Sequence, residues 1–321
     1  MKKFTVSHQE ANQTLEKYVK KVLPTTSLNI IQKLFRKKDI KVNGHWEDKK
    51  YIVSPNEENT IYIKDEDVGT TESKNILKRD NLSHLIAYED SNILIVNKPR
   101  GILTQKADTR DYALDVMVLE YLYFKGEYDP NTESAFTPGP AHRLDRNTSG
   151  LILFGKNIAT LQYLFSLLKD RTELDKHYLT LVKGEIFEDG EVTAPLKKDE
   201  ETGKVIVAST KDGAKKARTI YKVVQRFNGY TLLDVELVTG RTHQIRVHMQ
   251  YIKHPVIGDS KYGDFKENKY FEKMYGFKNQ FLHAYKLVFR DVESPLHSLC
   301  NQEIKIPLNE EYKKLLNKLK S

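Results

Sequence analysis

In the stretch His142-Arg143-Leu144-Asp145-Arg146, one carboxylate stands between two arginines. Flanking cations favour a carboxylate that stays ionised near neutral pH, as a nucleophile or base must. Structural ion pairs look the same, so Asp145 taken alone leaves both readings open. Three further segments place polar residues beside strand signals. In Lys176–Gly184, a strand start carries Tyr178, a residue able to stack on a base and move a proton, or simply to pack. In Gly240–His248, Thr242 can N-cap a helix whose buried stripe is Ile245, Met249 and Ile252. His243, Gln244 and Arg246 then lie near the helix start, where an anion is favoured, either a phosphate or the Asp145 carboxylate. His243 and His248 are five residues apart, off a common helix face, with no HExxH pattern and one cysteine in the chain, which argues against zinc. Finally, Asn97-Lys98-Pro99-Arg100-Gly101 reads as a tight turn whose Lys98 and Arg100 can hold phosphates.

The elements that must position these residues mix two periods. Strands are expected at 93–96, 151–154, 178–182 and 231–237, and a helix at 160–169 with Leu161, Leu164, Phe165 and Leu168 on one face. The mixture predicts an α+β domain on a mostly antiparallel sheet over residues 84–321. Residues 1–63 read as a separate small module. A first helix from Leu15 repeats at Tyr18, Val19, Val22 and Leu23 and ends at Pro24. Ser27 can cap a second helix with Ile31, Leu34 and Phe35 on one side. The other side and end are basic, with Lys33, Arg36, Lys37, Lys38 and Lys41. Asn43-Gly44 signals a turn, with short strands expected at 51–53 and 61–63. Residues 64–83, polar and aperiodic, read as a linker.

Composition narrows the class. At 321 residues, 39% hydrophobic and 10% aromatic, the chain suits a two-domain globular protein. The net charge of +8, from 52 Lys+Arg against 44 Asp+Glu, favours polyanionic partners without identifying them. No apolar run approaches the roughly 20 residues that span a bilayer, and the N-terminus lacks a signal-peptide core. The single Cys300 excludes an internal disulfide and points to a reducing cytoplasm.

The run Ile31–Gly44 resembles the S4 RNA-binding domain, whose second helix and following turn lie on the RNA backbone. Across nearly the whole chain the motifs resemble the RluA family of pseudouridine synthases. HRLDxxTSGL appears as His142–Leu151, GRTHQIRVH as Gly240–His248 and NKPxG as Asn97–Gly101. Pro255–Gly263 and Leu282-His283-Ala284 also fit. The resemblance implies a pseudouridine synthase catalytic domain that cleaves the N1–C1′ bond of a uridine, rotates the uracil and rejoins it through C5, with no cofactor or metal. It makes Asp145 the essential carboxylate, attacking C1′ or abstracting the 2′ proton. Tyr178 becomes the stacking tyrosine that assists loss of the C5 proton, and Arg241 the arginine paired with the carboxylate. Arg143 is implied to enter the RNA stack as the uridine flips out. RNA contacts are expected from His142, Arg146, His243, Gln244, Arg246, Lys98 and Arg100, and from the five basic residues of the first module. The S4-bearing RluC and RluD branches imply structured ribosomal RNA of the large subunit as partner and a monomeric enzyme. Transfer RNA as substrate, or a non-catalytic ribosome-assembly protein, are the alternatives; retention of Asp145, Tyr178 and Arg241 together argues against the latter.

Overall fold

The computed structural model describes residues 1–64, 68, 76–108, 111–131 and 135–320, so half of the expected linker (65–67 and 69–75) lies outside the described residues. The chain divides into two units. The first comprises Met1–Leu94, Gln105–Ala141 and Leu153–Ser166; the second comprises Ile95–Thr104, His142–Ile152 and Leu167–Ser321.

The first unit begins with β1 (Lys2–Thr5), α1 (Leu15–Val22), α2 (Leu28–Arg36), β2 (Ile40–Val42), β3 (His45–Trp46) and β4 (Glu58–Ile61). The strands form one sheet in the order β1-β4-β2-β3. Leu15, Tyr18 and Val19 of α1 and Ile31, Leu34 and Phe35 of α2 fill a common core with Ile40 and Ile61, the 3.6-residue stripes read in the sequence. Thr14 caps α1 by accepting the Lys17 N–H, whereas the Ser27 side chain makes no capping bond at α2. Two strand expectations shift. Only Ile52 of 51–53 pairs, as an isolated bridge to Thr14, and the closing strand ends at Ile61 rather than spanning 61–63. The turn after β3 is long, so pairing with β1 and β2 is taken up earlier, from Glu58.

The chain continues through β5 (Ile86–Glu89), β6 (Ile93–Lys98), α3 (Leu114–Lys125), β7 (Gly139–Pro140), β8 (Ser149–Gly155) and α4 (Ile158–Asp170). In α4 the buried positions are Ile158, Thr160, Leu164 and Leu167, while Phe165 is 49% exposed. Phe165 is turned about 100° from Leu164, which carries it off the expected face. There follow β9 (Leu174–Lys183), β10 (Gly190–Thr193), β11 (Leu196–Lys198), β12 (Val205–Val207), β13 (Arg218–Phe227), β14 (Tyr230–Glu236), α5 (Gln244–Tyr251), α6 (Phe265–Tyr275), β15 (Leu282–Phe289), β16 (Glu303–Lys305) and α7 (Glu310–Lys320).

The second unit's sheet runs β10-β13-β14-β9-β15-β8, with β16 beside β15. Its ladders are antiparallel from β10 through β15, and β8 joins β15 in parallel, which agrees with the expected mainly antiparallel α+β arrangement. Gly150 permits that last pairing. Its φ is +118°, and a Cβ there would meet the Ala284 carbonyl oxygen at 2.2 Å. β8 thereby joins β15 directly after the loop that carries Asp145. No helix among the described residues is long and apolar enough to cross a membrane.

Candidate active site

The loop 142–148 is fixed from below. Leu144 is buried and bonded both ways to Thr104: its N–H donates to Oγ1, and Oγ1 donates to its carbonyl, each at 3.1 Å. Thr148 donates its N–H to the Asp145 carbonyl at 3.1 Å, and its hydroxyl accepts from Gln280 Nε2 at 2.6 Å. Lys98, at the end of β6, corrects an expectation. It is fully buried, and its ammonium donates to the carbonyls of Pro99, Ile102 and Arg146 at 3.0, 2.9 and 3.2 Å. Gly101 N–H joins the same Arg146 carbonyl at 2.8 Å. Lys98 therefore ties the 97–102 turn to the Asp145 loop and is not placed to hold a phosphate. Burial draws its ammonium down to about 7, a pull opposed by the Asp145 charge and aided by Arg146. Arg100 is engaged too, with Nη1 2.7 Å from Glu311.

With Leu144 pinned inward, Arg143 and Arg146 are exposed and Asp145 is left at 29%. Its Oδ2 accepts from Arg246 Nη1 at 2.8 Å. Oδ1 stands 3.8 Å from His243 Nε2, beyond hydrogen-bond reach. The expected partner, Arg241, is elsewhere: it is exposed and its Nε donates to the Lys216 carbonyl at 3.0 Å. Helix register explains the exchange. The helix begins only at Gln244, after His243 in the left-handed region (φ 55°), so Thr242 does not cap it. Arg246, in the first turn, is the arginine that turns inward, and only 8% of its side chain is exposed. The expected stripe widens accordingly, since every residue from Gln244 to Met249 is buried.

Gln244 and Arg246 are likewise not surface RNA ligands. The Gln244 side-chain oxygen accepts the Arg241 N–H at 3.0 Å and the Thr239 hydroxyl at 2.7 Å. Its amide donates to the Arg218 carbonyl and the Thr219 hydroxyl, both at 2.9 Å. These bonds tie the turn before α5 to β13 and leave the helix's first-turn N–H groups without a side-chain cap. The histidines are occupied by protein groups: His243 Nδ1 meets Tyr262 Oη at 2.8 Å, while His248 bonds Thr219 Oγ1 at 2.8 Å and the Ala194 carbonyl at 2.9 Å.

Tyr178 lies on β9, opposite Ala284 of β15 and Val235 of β14, and is 5% exposed. Burial first, then the Asp145 charge, holds its phenol well above its ordinary value, with Arg171 opposing. It is a neutral aromatic within the field of Asp145. Burial and Lys176 keep His142 well below the usual imidazole range, so it is neutral rather than a phosphate-binding cation. Two groups to which the sequence assigns no role complete the cluster. Asp259 grips Arg246, and Tyr262 lies under its guanidinium at 5.0 Å. Both belong to the 255–263 segment, whose motif is visible in the sequence but whose placement against α5 is not.

In the first unit, Lys33, Arg36, Lys37 and Lys38 are exposed and Lys41 half-buried along the α2–β2 corner. Lys38 Nζ lies over the Trp46 ring at 4.8 Å and Lys41 Nζ over Tyr62 at 5.5 Å.

A carboxylate tethered through one oxygen, beside a buried neutral tyrosine, has the donor set for attack on carbon or removal of a carbon-bound proton. The family profile described as RNA pseudouridylate synthase matches residues 92–251. An uncharacterized RNA pseudouridine synthase of Mycoplasma capricolum is 33% identical over 95% of this chain and 97% of its own length. The ribosomal large subunit pseudouridine synthase C of Pasteurella multocida is 32% identical, covering 100% of this chain and 94% of its own. The solved human RNA pseudouridylate synthase domain containing 4 shares the fold, with a TM-score of 0.58 at 21% identity over 74% of this chain and 94% of its own. By these matches over its full length the chain belongs to the RluA family of RNA pseudouridine synthases, among its RluC/RluD-like enzymes.

Proposed function

We propose that this enzyme converts specific uridines of large-subunit ribosomal RNA to pseudouridine, with Asp145 as the catalytic carboxylate. The observation that carries the reading is the half-tethered Asp145, bonded through Oδ2 to Arg246 with Oδ1 left unbonded among the described residues. Oδ1 would attack C1′, or take the 2′ proton, as the N1–C1′ bond breaks; the uracil would turn over Tyr178, and C5 would bond to C1′ as the carboxylate leaves or the 2′ proton returns, with the C5 proton lost and N1 protonated. Exposed Arg143, on the same loop, suits the base-displacing role that extrusion of a stacked uridine requires. Arg241 stands by Arg171, whose guanidinium is weakened by burial and by Arg241's charge; two cations so close suit an RNA phosphate better than a protein carboxylate. Residues 1–63 would act as an S4-like module along the RNA backbone, supported by the basic α2–β2 corner. Relatives named as large-subunit synthases C and D support the ribosomal target and, with it, a cytoplasmic enzyme.

Two measurements test this. Tritium release from C5-labelled uridine in ribosomal RNA should fall by about a thousand-fold in Asp145→Asn. A site-resolved pseudouridine map should lose defined sites in large-subunit RNA when the gene is removed. Loss confined to transfer RNA would overturn the substrate, and an active Asp145→Asn the mechanism.

A further inference from the structure

Asp259 lies between α5 and α6, and its side chain is fully buried. It receives Arg246 along one edge, Nε to Oδ2 at 2.6 Å and Nη2 to Oδ1 at 2.8 Å. Oδ1 also accepts the backbone N–H groups of Lys261 at 2.8 Å and Tyr262 at 3.0 Å. The preceding turn is equally constrained. Gly258 has φ +78°, and a Cβ there would meet the Asn279 carbonyl at 2.0 Å. Asn268 spans the turn, accepting the Gly258 N–H and donating to the Asp259 carbonyl, both at 2.8 Å.

A guanidinium presents its donors in a rigid plane and can grip a carboxylate through two parallel bonds. With Nε and one hydrogen of Nη2 committed to Asp259, the guanidinium plane is fixed, and of the remaining N–H groups only one on Nη1 reaches Asp145. The plane is further set by Tyr262, whose ring faces the guanidinium. Were Asp259 absent, Arg246 could turn and chelate both oxygens of Asp145, drawing charge from each and blunting its reactivity.

We propose that Asp259 is a positioning residue for the isomerisation: by fixing the plane of Arg246 it holds the grip on Asp145 to the single Nη1 bond and leaves Oδ1 free to react. This rests on Asp145 being the catalytic carboxylate.

The test compares Asp259→Asn, Arg246→Ala, their double variant and Asp145→Asn in the full-length protein. Turnover is followed by tritium release and RNA affinity by filter binding. Asparagine preserves the acceptor for Lys261 and Tyr262 but turns an amide donor on Arg246. The expected result is a fall in kcat of about ten-fold or more for Asp259→Asn, with RNA affinity within about two-fold, the pattern of an interaction made only in the transition state. The double variant should be no slower than Arg246→Ala, because Asp259 acts through Arg246. Unchanged kcat, a drop in affinity alone, or additive effects on kcat would each overturn the assignment while a dead Asp145→Asn left the proposed function standing. An active Asp145→Asn would remove both. If Asp259→Asn does not fold, Arg246→Lys decides. A lysine keeps the charge but cannot serve two carboxylates in a fixed plane, so near-normal kcat overturns the proposal and a ten-fold loss supports it.

Discussion

His283 illustrates how strongly single side chains near the site are specified. It is 1% exposed, opposite Ser149 in the parallel ladder, with Nδ1 accepting the Ser149 hydroxyl at 2.8 Å and Nε2 directed at the Pro307 carbonyl at 3.3 Å. Both ring nitrogens are used by the neutral form. Burial accordingly lowers the imidazole from 6.5 to about 4. Because the folded value lies below the unfolded one, the unfolded chain binds the extra proton first as pH falls. The stabilisation is therefore complete above about 6.5 and lost progressively down to about 4, about 3 kcal/mol in all. Urea unfolding between pH 7 and 4 should show this slope, and His283→Gln should flatten it by a comparable amount; an unchanged slope would mean that other groups carry the acid sensitivity. At this scale the sequence is informative about identity and weak about pairing. Asp145 and Tyr178 stand out because their neighbours are unusual. Arg241 and Arg246, by contrast, are the same residue type within one short motif, and only the start of α5 decides which of them turns toward Asp145.

Between elements, the decisive interaction is the one that Lys98 makes. A lysine in a Pro-Gly turn looks the same on paper whether it faces phosphate or three carbonyls, since burial by the Asp145 loop is a tertiary fact. For the same reason the sequence misplaces the N-terminus of α5. Thr242 has the right chemistry for a cap, but Gln244 reaches back instead and satisfies the turn. Strands β6, β8, β9 and β14 are legible from their apolar runs; β1 and β3 are not, being short, largely exposed and held by partners that local sequence does not reveal. Lys98→Met separates the two roles considered for that residue. Methionine fills similar space but donates nothing to the Pro99, Ile102 and Arg146 carbonyls. Each carbonyl left unpaired in a buried setting costs on the order of 1–3 kcal/mol, less where water can enter. The variant should lose thermal stability and turn over more slowly while binding RNA normally. Weakened RNA binding with unaltered stability would restore the phosphate-binding role.

For the whole molecule, charge governs how a polyanionic substrate is attracted. The excess of eight positive charges is not evenly useful. Around the active site, Lys98 and Arg246 are buried and committed to protein acceptors, and Arg100 is paired with Glu311. Of the expected RNA ligands, the cations left exposed are Arg143 and Arg146, together with Lys33, Arg36, Lys37 and Lys38 of the first unit; Arg241, expected instead as the carboxylate's partner, is exposed as well. Long-range RNA attraction should then depend heavily on the α2–β2 corner. Replacing Lys33, Arg36, Lys37, Lys38 and Lys41 together by glutamine leaves the core of α1 and α2 untouched, because none of the five belongs to it. If each touches a phosphate, the slope of log affinity against log salt should become shallower by about 4, since every phosphate no longer neutralised takes about 0.7–0.9 from it. Affinity for full-length ribosomal RNA should fall most at low salt, where counterion release contributes most. On a short stem-loop at saturating concentration, kcat should stay at its original value, because none of the five residues bonds to Asp145 or to Arg246. An unaltered salt slope would show that the first unit does not meet RNA through this corner, and would leave the three exposed arginines of the second unit to carry the electrostatics.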